Sequence, residues 1–390
     1  MSVDGDRRSL LFGIAAAAPF AALGACATGG TSAVAEQANA LQPPSIVEGG
    51  SLAQAAGRNG RFYGSAARID QLMDQPALSE ATVRDCSYLS PEIHLKWNSL
   101  EYHRREFNYA SVDDLLDFAD AHGMGVRGHT LIWDQSTPDW AKAEMLETRD
   151  WEVLAGHFRR TLGRYRGRIW EWDVVNEALD TENGDGVIRR NTFQRAYGST
   201  YIERALEEAR TLAPDAHLII NDYSFEYDNP VDAARRRAFV ALIERLKAQG
   251  TPLDGVGLQA HLDLAKGPLH QRAYAGFMQA LADTGVDLVI SELDVKERDR
   301  SPSLDRRDLS VADETRRFLE VALDQKAVRG VVTWGLSDRY SWLSDDPGRA
   351  DPRLNRGLPL SGRYAIKPMY WAVHDSFAAA APVTRLPRAA

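Results

Sequence analysis

From residue 63 onward, short apolar runs alternate with stretches in which apolar residues recur every three or four positions. The runs predict strands at 63–67, 92–97, 125–133, 170–177, 217–223, 255–261, 286–293 and 330–336. Helical spacing fills 112–122, 151–165, 200–212, 231–249 and 313–326. Eight strands alternating with amphipathic helices predict a closed parallel (β/α)8 TIM barrel, with a doubly wound open sheet as the rival. Barrel chemistry gathers at the carboxyl ends of the strands. Glu177, His261, Glu292 and Trp334 all fall there.

The first 30 residues break this pattern. Arg7-Arg8 precede an Ala-rich apolar run that reaches Leu23-Gly24-Ala25-Cys26. Paired arginines before a moderate apolar segment resemble a twin-arginine export signal, and the segment ending at Cys26 resembles a lipobox whose cysteine is acylated. The expected division is an export signal at 1–26, a flexible linker at 27–50 rich in Ala, Gly, Ser and Pro, one catalytic domain at 51–381, and a tail at 382–390. Processing at Cys26 leaves Cys86 alone, so no disulfide is expected and stability must come from a large core. Cys86 itself reads as buried filler.

Composition narrows the possibilities. Hydrophobic residues make up 44% and charged residues 26% of the chain, as in soluble globular proteins. A net charge of −9 gives no reason to expect nucleic acid or an anionic membrane as partner. The sequence shows no HExxH, cysteine cluster or phosphate loop, so no metal or organic cofactor is expected. A monomer is the expectation.

The candidate chemistry lies in EWDVVNEAL at 171–179 and VISELD at 289–294. Each ends an apolar run with a glutamate, Glu177 and Glu292. A closed barrel can bring both to one mouth. Two facing carboxyls suit glycosidic bond cleavage, in which one protonates the leaving oxygen and the other attacks or activates water.

These segments, with EIHLKW (92–97), GHTLIW (128–133), NDY (221–223), GVGLQAH (255–261) and WGLSDRYSW (334–342), resemble glycoside hydrolase family 10, the retaining β-1,4-xylanases. The resemblance covers about residues 63–373. It implies a polysaccharide substrate, xylan or xylo-oligosaccharides, with Glu177 as acid/base and Glu292 as nucleophile, about 5–5.5 Å apart. It implies that Asn176 donates to the 2-hydroxyl of the sugar at the cleavage site. It places His261, oriented by Asp294 and flanked by Gln259, against the nucleophile. Glu92, Lys96, His129 and Tyr223 are implied as substrate-binding groups, and Trp133, Trp334 and Trp342 as walls of the cleft. Trp97, Trp170 and Trp172 read as core.

Two positions depart from the family pattern. Its Glu-Asn-x-x-Lys-Trp segment reads Glu92-Ile93-His94-Leu95-Lys96-Trp97, and its Trp-His-x-Gln reads Trp133-Asp134-Gln135-Ser136. Isoleucine cannot make the hydrogen bonds of the asparagine. Asp134 has three readings open to it: pairing with Lys96 or His129, selecting a cationic or donor-rich substituent, or pointing into solvent. A relative of shifted specificity and a silent carbohydrate-binding lipoprotein are the competing functions.

Overall fold

The computed structural model describes residues 50–181, 188–267, 269–297, 299–344 and 354–384. The expected export signal and lipobox, and all but the last residue of the expected linker, lie outside the described residues. No helix among the described residues is long and apolar enough to cross a membrane.

Among the described residues nine strands form: β1 (Phe62–Ala67), β2 (Tyr88–Pro91), β3 (Gly125–Ile132), β4 (Glu171–Asn176), β5 (His217–Asp222), β6 (Gly255–Leu258), β7 (His261–Asp263), β8 (Asp287–Lys296) and β9 (Val328–Thr333). All pairings are parallel. They run in chain order from β1 to β6, then from β6 to β8, β8 to β9 and β9 back to β1. Eight strands therefore close the barrel. β7 continues the line of β6 after a break at Gln259-Ala260, where Ala260 takes φ 60°, and pairs with β8 alone.

The second strand corrects the sequence reading. It is Tyr88–Pro91 rather than 92–97. Pro91 has no N–H to give the ladder, Glu92 N–H makes a last bond to the Ala67 carbonyl at 3.0 Å, and the chain then leaves the sheet. Residues 92–96 instead form a loop that ends at Lys96, the N-cap of the short helix Trp97–Leu100. The other strands match the expected limits to within three residues, with β6 and β7 dividing one expected strand.

Helices cover the outer face. Tyr201–Leu212 shows why: Tyr201, Ile202, Ala205, Leu206 and Ala209 share one buried stripe, while its charges lie elsewhere on the helix. Each such leucine contributes about 1.5–3 kcal/mol on burial. Gly128 lets the sheet accept Trp172, because a Cβ there would sit 2.2 Å from the indole ring. Cys86 is free and buried at the end of the helix Pro76–Asp85. Val383 N–H donates to the Asn59 carbonyl at 3.0 Å, so the chain just past Pro382 is held against the barrel.

The barrel interior is layered. Phe62, Tyr88, Ile219, Val289 and Val332, with half-buried Trp170 against them, plug the amino-terminal end. Charges also fill the interior. Arg127, 1% exposed, bridges Glu171 and Asp173, and Glu171 also meets Arg329 and His217. Asp173 in turn accepts from His129 at 2.9 Å. This ladder links the barrel interior to the mouth.

Candidate active site

Glu177 follows the last residue of β4 and adopts φ 57°, a left-handed conformation uncommon for a residue with a side chain. Flanking hydrogen bonds hold it there. Glu177 N–H donates to the Asn221 carbonyl at 2.8 Å, and Leu179 N–H to Asp222 at 3.0 Å. The turn changes the chain direction at the mouth.

Glu292 lies within β8, the longest strand, and is 5% exposed. Asn221 Nδ2 donates to its Oε1 at 2.6 Å, and His261 Nε2 lies 3.3 Å from its Oε2. His261 Nδ1 meets Asp294 at 2.9 Å. Asp294 also accepts from the Trp342 indole N–H at 2.7 Å. With both ring nitrogens facing carboxylates, His261 is favoured as a cation. Burial alone would lower its pKa, but Asp294 and Glu292 together hold it well above the ordinary histidine value.

The two glutamates are polarised in opposite directions. Burial raises the Glu177 pKa, and the nearby charges of Asp222 and Glu292 add to the rise. Arg189 opposes it, as does the Trp133 indole, which is close enough to matter although its N–H finds no well-aligned hydrogen-bond partner. Burial would also raise Glu292. There, hydrogen bonds from His261 and Asn221 and the charges of His129 and His261 prevail, bringing it down to about 2. One carboxyl thus favours keeping its proton while its neighbour is ionised.

Asn221 ties the two strand ends together. Its Nδ2 also donates to Asn176 Oδ1 at 2.8 Å, and its Oδ1 accepts from Ser291 at 2.6 Å. Gly257 gives it room, since a Cβ there would approach Asn221 Oδ1 to 2.1 Å. Gln259 donates to the same Asn176 oxygen at 3.2 Å. With Oδ1 accepting twice, Nδ2 is the polar end of Asn176 left for a ligand.

The mouth is walled by aromatic and cationic groups. Lys96 Nζ lies 4.5 Å from the centre of the Trp133 ring and 5.8 Å from that of Trp334. Burial lowers the Lys96 pKa against the pull of Glu292, Glu92 and Glu177. Glu92 is shifted up by burial, with Arg68 and Lys96 opposing. Trp334 is only 8% exposed and sits edge-on to His129 at 5.1 Å, forming the floor. Trp342, 53% exposed, is the open wall, and Tyr223 OH accepts from Arg189 at 2.9 Å.

Comparison with known proteins gives this mouth a lineage. Residues 51–376 match the model of glycosyl hydrolase family 10. The chain belongs to glycosyl hydrolase family 10. It is 33% identical to endo-1,4-beta-xylanase A of Fusarium oxysporum f. sp. lycopersici, over 72% of this chain and 84% of that protein. It is 31% identical to endo-1,4-beta-xylanase B of Thermotoga neapolitana, over 78% and 84%. Xylanase 10B of Thermotoga maritima superposes with TM-score 0.74 at 30% identity, covering 84% of this chain and 98% of that one. Xylanase 10B of Thermotoga petrophila RKU-1, in complex with xylobiose, gives the same score over 85% and 98%.

Within this family 10 fold, Glu177, Glu292, Asn176, Gln259, His261, Asp294 and Trp342 form one linked group. Lys96, Trp133, Trp334 and His129 adjoin it. Trp97 and Trp172 are buried in the core, each 1% exposed. Asp134 Oδ1 accepts from the backbone N–H of Thr192 at 3.0 Å, a partner that none of the three sequence readings named. Sequence reasoning missed Asn221, Ser291, Asp173 and Gln135 as parts of the site. Asn221 stood inside a quoted motif, and Asp173 sits two residues from Glu171, the spacing that returns a strand side chain to the same face. For Gln135, which reaches Glu177 Oε2 at 3.4 Å, nothing in the local pattern pointed to the contact.

Proposed function

We propose that this chain is a retaining endo-β-1,4-xylanase in which Glu177 is the general acid/base and Glu292 the nucleophile. The opposite polarisation of these two carboxyls carries the reading. In the first step Glu292 attacks the anomeric carbon while Glu177 gives its proton to the departing oxygen, leaving a covalent glycosyl ester. Esterification removes the Glu292 charge, so Glu177 loses one cause of its raised pKa and can accept a proton from water. That water opens the ester from the face the leaving group vacated, with net retention.

Asn176 Nδ2 is assigned to the sugar 2-hydroxyl. Lys96 and His129 are assigned to hydroxyls on the glycone side, with Glu92 behind Lys96. Trp133, Trp334 and Trp342 pack on sugar faces through their apolar area. Tyr223, on the β5 side of the mouth beside Arg189, is assigned to the leaving part of the chain. The relatives named xylanases and the neighbour holding xylobiose support xylan as substrate. Ile93 supports weak binding of plain xylan on the glycone side.

The test is reducing-sugar release from a panel of xylans, mannans and β-glucans, with product anomers followed by NMR. Release from xylan with the β-anomer formed first, lost in Glu292→Ala, is expected. Release confined to mannan or β-glucan, or undiminished in Glu292→Ala, overturns the assignment.

The leader motifs support export, with Cys26 as the site of a lipid anchor at the cell envelope. Metabolic labelling with a fatty-acid analogue should mark the wild-type chain and not Cys26→Ala. Equal labelling of both removes the anchor.

A further inference from the structure

Residues 134–136 form a single 3-10 turn directly after β3, the segment where this chain departs from its family pattern. The turn is fixed from several directions. Ser136 N–H and the Ser136 and Thr137 hydroxyls all donate to the Trp133 carbonyl, at 3.0, 3.3 and 2.9 Å. Asp134 Oδ1 reaches across to the N–H of Thr192, the first residue of the helix Thr192–Tyr197. At that helix start, the Asn191 side chain accepts from Gln194 N–H at 2.9 Å, so the anchor point is itself braced. Gln135 projects from the middle of this clamped turn. Its Nε2 donates to Glu177 Oε2 at 3.4 Å, the long end of hydrogen-bond range.

We propose that Gln135 is a positioning residue for the acid/base, selecting which oxygen of Glu177 carries the proton, and that Asp134 fixes the turn that aims it. This deepens the xylanase reading and rests on Glu177 being the acid/base.

The chemistry follows from donor and acceptor roles. The amide Nε2 only donates, so the carboxyl oxygen facing it must accept. In the protonated acid that oxygen is the carbonyl, and the proton therefore sits on Oε1. A free carboxyl would divide its proton between two oxygens and two orientations. The held carboxyl keeps it on one, ready for the leaving oxygen. Because the same amide also favours the ionised form, losing it should raise the Glu177 pKa. The other charged groups felt by Glu177 are Glu292 on β8, Asp222 on β5, Arg189 before the helix Thr192–Tyr197, and Lys96 after β2. None of these charged groups donates to Oε2 among the described residues; the Trp133 indole also lies beside Glu177, but its N–H has no aligned partner, which leaves the Gln135 amide as the aligned side-chain donor.

The experiment compares substrates that differ in their need for a proton. Gln135→Ala should lose about 3- to 10-fold in kcat/KM on xylo-oligosaccharides, the range of one hydrogen bond. On dinitrophenyl β-xylobioside, whose leaving group departs without protonation, the loss should stay under about 2-fold. The basic limb of the pH profile should move to higher pH. Asp134→Ala should show the same substrate-dependent loss, and Asp134→Asn, which keeps an acceptor for Thr192, should recover most of it.

Equal losses on both substrates, or no loss on either, overturn the proposal, since a merely structural turn would not distinguish leaving groups. Glu177→Ala is measured beside these variants. If it leaves xylo-oligosaccharide hydrolysis intact, the acid/base reading fails. If it abolishes that hydrolysis while azide restores turnover of the aryl substrate, the acid/base reading holds and only the role of Gln135 is at stake.

Discussion

Trp342, half exposed at the groove, donates its indole N–H to Asp294 at 2.7 Å, and Asp294 holds the histidine that faces Glu292. A cleft wall is thereby coupled to the nucleophile through three polar contacts in series. Trp342→Phe keeps an aromatic face but strands an acceptor that is 0% exposed. It should lower kcat on xylo-oligosaccharides while leaving KM within about 2-fold. Trp342→Ala should lower kcat and also raise KM by about 3- to 10-fold, as apolar contact area is lost. Steady-state kinetics on xylopentaose separates the two. An unchanged kcat in Trp342→Phe would break the coupling.

The opposed pKa shifts set the pH response. Attack needs Glu292 ionised, and with its pKa near 2 the acid limb of kcat/KM should lie well below that of an ordinary carboxylate. His261→Asn removes its cationic donor, so Glu292 should rise and the acid limb should move to higher pH. Stability follows the same sign. A depressed carboxylate stabilises the fold above its unfolded value near 4.5, and that contribution is lost as pH falls toward about 2. Glu177, being raised, acts oppositely and costs stability as pH climbs past 4.5. Kinetics and urea melts at pH 3 and 6, for wild type and His261→Asn, test both limbs.

The barrel and its two glutamates were legible because strand period, strand count and motif order all point one way. The second strand was misplaced because Tyr88-Leu89-Ser90-Pro91 offers a short run with only Tyr88 and Leu89 as large apolar side chains, and is followed by the mixed EIHLKW, which imitates alternation. Asn221 and Ser291 escaped notice for another reason. Their importance comes from which strands neighbour each other around the barrel, and one strand's pattern does not contain that. The role of Asp134 depends on the backbone of Thr192, 58 positions away. Long-range partners of this kind leave no local signature.

Asn221 offers a direct test of the linkage between strand ends. Asn221→Ala leaves Asn176, Ser291 and Glu292 each short of a partner, at a stability cost of about 1–3 kcal/mol for the buried groups. Gly257→Ala attacks the same residue indirectly, because the added Cβ falls 2.1 Å from Asn221 Oδ1 and 2.9 Å from its Cγ. A shift of Asn221 misplaces both Asn176 and the nucleophile, so kcat should fall by about 10²-fold. Far-UV circular dichroism should remain unchanged. Full activity in Gly257→Ala would show that the amide is not positioning either group.

Ile93 stands half buried in the loop between β2 and Lys96, and is proposed to weaken the glycone side. Ile93→Asn supplies a donor and an acceptor to the glycone side. It should lower KM for linear xylo-oligosaccharides by about 2- to 10-fold, the range of one recovered hydrogen bond. An unchanged KM would show that the loop places position 93 away from the sugar.

Arg127 tests whether the interior charges support the fold or only tune the mouth. Its guanidinium lies between Glu171 and Asp173, and all three are almost wholly buried. In Arg127→Met, Glu171 keeps Arg329 and His217, and Asp173 keeps His129, yet two carboxylates lose their common cation. Removing one partner of a buried ionic group costs about 3–5 kcal/mol, because the remaining charge stays desolvated. Burial by itself would raise the Glu171 pKa, but Arg127 and its other cationic neighbours hold it below the usual value. Protonation of Glu171 should therefore relieve part of the damage, and the deficit should shrink as pH falls below about 4.5. Adding Glu171→Gln to Arg127→Met should likewise recover part of the loss at neutral pH. Urea unfolding of wild type, single and double variants at pH 7 and pH 4 measures each of these terms. A single variant as stable as wild type at pH 7 would mean that this ionic ladder contributes nothing to holding the barrel together.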